Sequence, residues 1–158
     1  MDMLPVDRTN AECWQLGTDQ ITVLTTCAQT SGQIFAVEIR MPPGGGPPVL
    51  HRHDPSEVYY VLEGEFTFYV GGEGGVTRHR AGVGDVVPLD GGTPHTVRNE
   101  SDADAVAFAV HTPGAVMEGF TRAAAVLGAP GARPTMEEVL ALADAHGIEM
   151  LGPVPAQL

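Results

Sequence analysis

The chain contains no lysine, and all eight of its basic residues are arginines. Chemistry that needs a lysine Schiff base, or the lysine of a phosphate-binding P-loop, is thereby excluded. Positive charge is scarce altogether. Twenty Asp and Glu leave a formal net charge of −12, so the surface repels nucleic-acid phosphate and anionic membrane headgroups alike. Cysteine is nearly missing too. Cys13 and Cys27 fit neither a CxxC redox pair nor a zinc spacing, and two free thiols in a reducing cytoplasm are expected. No apolar run approaches the roughly 18–20 residues of a membrane span. The first eight residues lack a basic stretch followed by an apolar one, so no signal peptide is expected.

What is present is turn-forming and β-branched. In 158 residues there are 20 glycines and 13 prolines, which favours many short strands over a helical bundle. Length and apolar content suit one domain over 1–158. The pattern changes character once, at Thr112-Pro113-Gly114. Before it, a period of two predicts short strands over 20–112, as a sandwich or a barrel. Phe35, Val37, Ile39 and Met41 share one face of a strand running from Gln33 to Met41. Further strands are expected at Ile21–Thr26, Glu57–Leu62, Phe66–Val70, Val76–Arg80, Asp85–Leu89, His95–Asn99 and Ala105–His111. Glu63-Gly64-Glu65 reads as a hairpin turn, and Gly71 to Gly75 as another. After the change, a tail over 113–158 is expected to form two helices packed on the barrel. The first spans Ala115–Leu127. The second opens on a capping box at Thr135, carries the apolar stripe Met136, Val139, Leu140 and Ala143, and stops at Gly147.

Chemistry gathers around four residues. His51 and His53 stand two apart and so share a strand face. Glu57 opens the next strand and shares its face with Tyr59 and Val61, and His95 lies on a later one. If these side chains meet inside one barrel, three imidazoles and a carboxylate suit a divalent transition metal: Fe, Mn, Ni, Cu, Co or Zn. Taken singly, each histidine fits a structural role as well as a ligand's. His79, between two arginines, reads as solvated. His146, in a last helical turn, complements the helix dipole. His111 ends the last strand, where a structural role and a pocket role both fit. Tyr59 is either a polar group of the pocket or a core tyrosine.

The glycines around these residues complete two motifs: Gly45-x5-His51-x-His53-x3-Glu57-x6-Gly64, and Gly84-Asp85-x6-Gly92-x2-His95-x3-Asn99. Together they resemble the two motifs of the cupin superfamily, over about Gln33 to Thr112. The first matches throughout. The second departs once, with Asp90 where the family has proline. The resemblance implies a mainly β fold, a double-stranded β-helix or jelly-roll barrel over 20–112, with His51, His53, Glu57 and His95 as metal ligands. Asp85 and Asn99 are expected to be structural, Asn99 by bonding a neighbouring loop.

The tail resembles that of bacterial quercetinase-like single-domain cupins. A metal-dependent dioxygenase acting on a small aromatic or enol-bearing substrate is then expected, with O2 as a possible partner and Glu57 as the catalytic base. Tyr59, Phe35, Val97, His111, Met117 and Phe120 are the candidate pocket residues. An oxygen-independent cyclase, isomerase or lyase, and a non-catalytic small-molecule-binding barrel, are the alternatives. Cupins commonly pair, so a homodimer is expected, with Leu16, Ile21 and Val23 as candidate contacts.

Overall fold

The computed structural model describes residues 4–156. The first three and last two residues of the 1–158 domain reading, including the start of the N-terminal stretch, lie outside the described residues. Eleven strands form two sheets. The six-stranded sheet runs β1 (Cys13–Leu16), β2 (Asp19–Thr25), β3 (Phe35–Met41), β10 (Ala105–Thr112), β5 (Ser56–Glu63) and β8 (Val86–Leu89). The five-stranded sheet runs β11 (Glu149–Pro153), β4 (Val49–Arg52), β9 (His95–Arg98), β6 (Glu65–Gly72) and β7 (Gly75–Gly82). All their pairings are antiparallel. This is the mainly β jelly-roll architecture that the motifs imply.

The core lies between the sheets. The inward residues of β3, Phe35, Val37, Ile39 and Met41, meet Tyr59 and Val61 of β5 and Phe66 and Phe68 of β6. Period-two alternation is what delivers them there. Ile21 and Val23 belong to this same core. They are therefore spent inside the protein and do not supply the contact to a second copy that the sequence suggested.

Gly64 does not close a hairpin. β5 pairs with β10 and β8, while β6 pairs with β7 and β9. The Glu63-Gly64-Glu65 turn carries the chain from one sheet to the other. Gly64 has a φ of +68°, and a Cβ there would stand 2.4 Å from the Asp104 carbonyl oxygen. The crossing is tight enough to require glycine. The Gly71–Gly75 turn does join a hairpin, β6 to β7.

In the tail, α1 (Ala115–Leu127) lies against β1 and β3. Its Arg122 pairs with Glu12 at 3.0 Å and sits 4.6 Å over the Trp14 ring. The helix α2 (Met136–Ala145) starts at the Thr135 capping box, and Gly147 beyond it has a φ of +74°. Its buried side is narrower than the stripe: Ala143 is buried and Val139 half-buried, while Met136 and Leu140 are exposed. The tail then adds β11, which the sequence did not announce because Gly152 and Pro153 weaken its strand signal. β11 pairs with β4, with a register shift between Met150 and Gly152.

Candidate metal centre

β4 and β9 lie side by side, with His51 directly opposite His95. His53 follows just past the end of β4. The three rings converge, with centroids 4.6 Å apart for His51 and His95, 5.2 Å for His53 and His95, and 5.8 Å for His51 and His53. Each offers a nitrogen, and those atoms lie within 4.8 Å of one another.

The backbone sets which nitrogen each ring offers. His53 Nδ1 lies 3.0 Å from the Pro55 carbonyl, and His95 Nδ1 lies 2.8 Å from that of Thr93. A carbonyl only accepts, so in both rings Nδ1 carries the proton and Nε2 keeps a lone pair. Both Nε2 atoms are buried without a hydrogen-bond partner. Burial pushes His51 down to about 4, helped by the neighbouring His95, and draws His53 down as well. These two rings are therefore neutral at neutral pH, the form that binds metal.

Glu57 completes the cluster from the opposite sheet. It is buried on β5, opposite His111 of β10 and Leu89 of β8. Its Oε2 lies 3.0 Å from His111 Nε2 and 3.6 Å from His53 Nε2. Its Oε1 lies 2.6 Å from His95 Nε2, yet neither atom has a hydrogen-bond partner. Burial alone would raise this carboxyl. The imidazoles of His111 and His95 outweigh burial and hold it well below the usual carboxylate range. His95 shows the converse: burial pushes it down, and Glu57 more than restores it. Unpartnered nitrogens and a carboxylate oxygen, buried and mutually close, are an expensive arrangement without a cation. The donor set fits one divalent transition metal.

The candidate pocket residues separate. Phe35, Tyr59 and Val97 are buried in the core, with Tyr59 edge-on to Phe68 at 5.2 Å. Met117 of α1 packs against that core. Phe120 turns to the other helix, its ring 6.2 Å from that of His146. Two of the six reach the cluster: His111 bonds Glu57 at 3.0 Å, and the buried Tyr59 hydroxyl, beside Glu57, is pushed up by burial and by that carboxylate. The register of His111 with Glu57 is a long-range pairing that local sequence does not display. A groove of about 240 Å³ lies against His53 and is lined by Arg52, Asp54, Gly92, Gly147 and Glu149 as well. No local signal pointed to it, because two of its six lining residues, Gly147 and Glu149, come from the tail.

The structural expectations for the motif residues hold. Asp85 Oδ2 accepts from the Gly82 amide at 2.8 Å. Asn99 Nδ2 donates to the carbonyls of Met41 and Ala103 at 2.8 and 2.7 Å. Asp90, in the family's proline position, takes the turn by side-chain bonding, with Oδ1 accepting from Ser56 Oγ at 3.3 Å and from the Gly91 amide at 2.9 Å. His79 is exposed. Cys13 and Cys27 are free thiols.

Residues 37–111 match the cupin domain family model. No curated protein matches the chain in sequence. Among solved structures, a predicted oxalate decarboxylase of Thermotoga maritima is similar with a TM-score of 0.62 at 22% identity, covering 69% of this chain and 98% of that one. The polyketide cyclase RemF of Streptomyces resistomycificus follows at 0.61 and 20%, covering 71% and 80%. A sugar phosphate isomerase of Silicibacter pomeroyi gives 0.56 and 20%, covering 68% and 74%. At these identities the likeness is one of fold.

Proposed function

We propose that the chain, whose residues 37–111 match the cupin domain model, is a metal-dependent cupin enzyme acting on a small molecule. The observation that carries this is the convergence of His51, His53 and His95, with Glu57 beside His53 and His95, and with buried atoms on His53, His95 and Glu57 that no protein group satisfies. A divalent metal held by these four would supply Lewis acidity and, if redox-active, a means of reducing O2. His51 and His53 are neutral and need shed no proton to hold it. Glu57 is ionised and buried, so a substrate hydroxyl beside it finds a proton acceptor in a site shielded from water. Its Oε1 faces His95, while Oε2 rests on His111 and lies near His53. The groove beside His53 is wide enough for a small substrate.

The finer reading is a dioxygenase acting on an aromatic or enol-bearing substrate, in which Glu57 takes the hydroxyl proton and both atoms of O2 enter the substrate. A second reading, favoured by Glu57 being set for proton transfer alone, is an oxygen-independent cyclase or isomerase. Metal content of protein purified without a nickel column separates them. About one equivalent of Fe, Mn, Ni or Cu, with oxygen uptake on a flavonol or enediol, supports the dioxygenase. One equivalent of Zn with no oxygen uptake supports the second. No metal after anaerobic reloading removes both. His53→Ala is expected to abolish metal binding while the circular dichroism of the barrel stays unchanged. Glu57→Gln is expected to bind metal at least roughly tenfold more weakly and, when loaded at saturating metal, to lower turnover by roughly 100-fold or more.

A further inference from the structure

His111 lies outside both cupin motifs, yet it touches the centre through one atom. Strands β5 and β10 place it directly across from Glu57, and β3 places Phe35 on its other side. Its ring is buried, tilted 31° to that of Phe35 with centroids 5.8 Å apart. The ring is therefore fixed between two strands, and its Nε2 is aimed at Glu57 Oε2, 3.0 Å away. A carboxylate cannot donate, so this Nε2 carries the proton. The other ring nitrogen, Nδ1, is buried without a partner, so the Glu57 contact is the ring's one polar engagement among the described residues.

Building on the metal-centre reading above, we propose that His111 is a positioning residue for Glu57: its Nε2–H pins Oε2 and so sets Oε1 against His95. A carboxylate left free would rotate and offer the metal either oxygen or both. Partners that hold a ligating carboxylate in this way typically account for roughly 10–100-fold in metal affinity.

The test is calorimetric titration of zinc or cobalt(II) into metal-stripped protein, with the visible spectrum of the cobalt form as a report on its ligand geometry. His111→Phe keeps ring volume and the contact with Phe35 but has no donor. It is expected to bind either metal roughly 10–100-fold more weakly and to shift the cobalt spectrum. His111→Gln, whose amide nitrogen reaches the place of Nε2, is expected to restore both. A role in packing alone predicts the opposite order, with phenylalanine tolerated and glutamine damaging. Wild-type affinity and spectrum in His111→Phe would overturn the proposal. So would an effect of His111→Phe that persists undiminished in a Glu57→Gln background, since the histidine would not then act through the carboxylate. Metal binding failing in the unsubstituted protein would sink the metal-centre reading instead. The pairing itself is checked without metal or mutation by nitrogen-15 NMR of the histidine rings. The Nε2–H tautomer is expected for His111, and the Nδ1–H tautomer overturns the pairing.

Discussion

Asn99 shows how much a single side chain carries. It is fully buried, and its amide ties the carbonyls of Met41 and Ala103 while its Oδ1 accepts from the Ser101 amide. Replacing it by alanine strands those groups away from water. The expected cost is about 3 kcal/mol in urea denaturation, with metal stoichiometry unchanged because Asn99 points away from the histidines toward the end of β3. Loss of metal at full stability would instead make it part of the centre. The histidines differ among themselves at this scale. Those whose Nδ1 is fixed by a carbonyl, His53 and His95, hold Nε2 toward the cluster. His79 donates or accepts only with Thr77 at the surface. Spacing separated the clustered histidines from the exposed His79, but it did not show His111 against Glu57, because that contact depends on which strands pair.

At the scale of elements, β4 is the strand on which the centre depends, and it is guarded. β9 flanks it on one side and β11 on the other. Without β11 it would be an open edge, free to fray and to pair with other chains. Arg52 and Glu149 clamp the pair with an ion pair at 2.8 Å. Deleting residues 148–158 is therefore expected to weaken metal binding by roughly tenfold, as loss of ligand support does elsewhere, and to produce oligomers in size-exclusion chromatography. Unchanged metal affinity in the truncated protein would show that β4 holds its shape alone. The crossing at Gly64 is the other critical junction. Gly64→Ala combines a left-handed backbone with a clash against the Asp104 carbonyl. A loss of at least about 2 kcal/mol is expected, visible as a lower urea midpoint.

For the molecule as a whole, the buried cluster couples stability to pH. In metal-free protein His51 sits near 4 and His53 is also lowered, against 6.5 for the unperturbed imidazole. Below about 6.5 the unfolded chain takes up these protons first, so stability falls from there toward 4. The His51 displacement alone corresponds to about 3 kcal/mol. Glu57, held low, contributes above its unfolded value and loses that contribution as pH falls through its lowered one. His95, held high, has the opposite slope: its contribution is complete below 6.5 and fades as pH rises through its raised value. Two lowered histidines outweigh one raised. Urea midpoints of metal-free protein are expected to be higher at pH 7 than at pH 4.5, and His51→Asn is expected to flatten that difference. The net charge of −12 adds a second dependence. Self-repulsion is screened by salt, so the metal-free midpoint is expected to rise between low and moderate ionic strength.

The amino-acid sequence by itself determined most of the strands, the helix limits at Ala115, Leu127 and Gly147, and the grouping of His51, His53, Glu57 and His95. These are properties of local order. Alternation decides which side chain faces inward, capping residues decide where helices stop, and motif spacing survives without any knowledge of partners. Pairing belongs to the tertiary structure. Only the folded chain decided that Gly64 crosses between sheets, that β11 returns to shield β4, that Ile21 and Val23 are spent in the core, and that His111 lies on Glu57. Each depends on contacts between residues far apart in the chain, whose cost and reward are settled only when the two sheets close on each other.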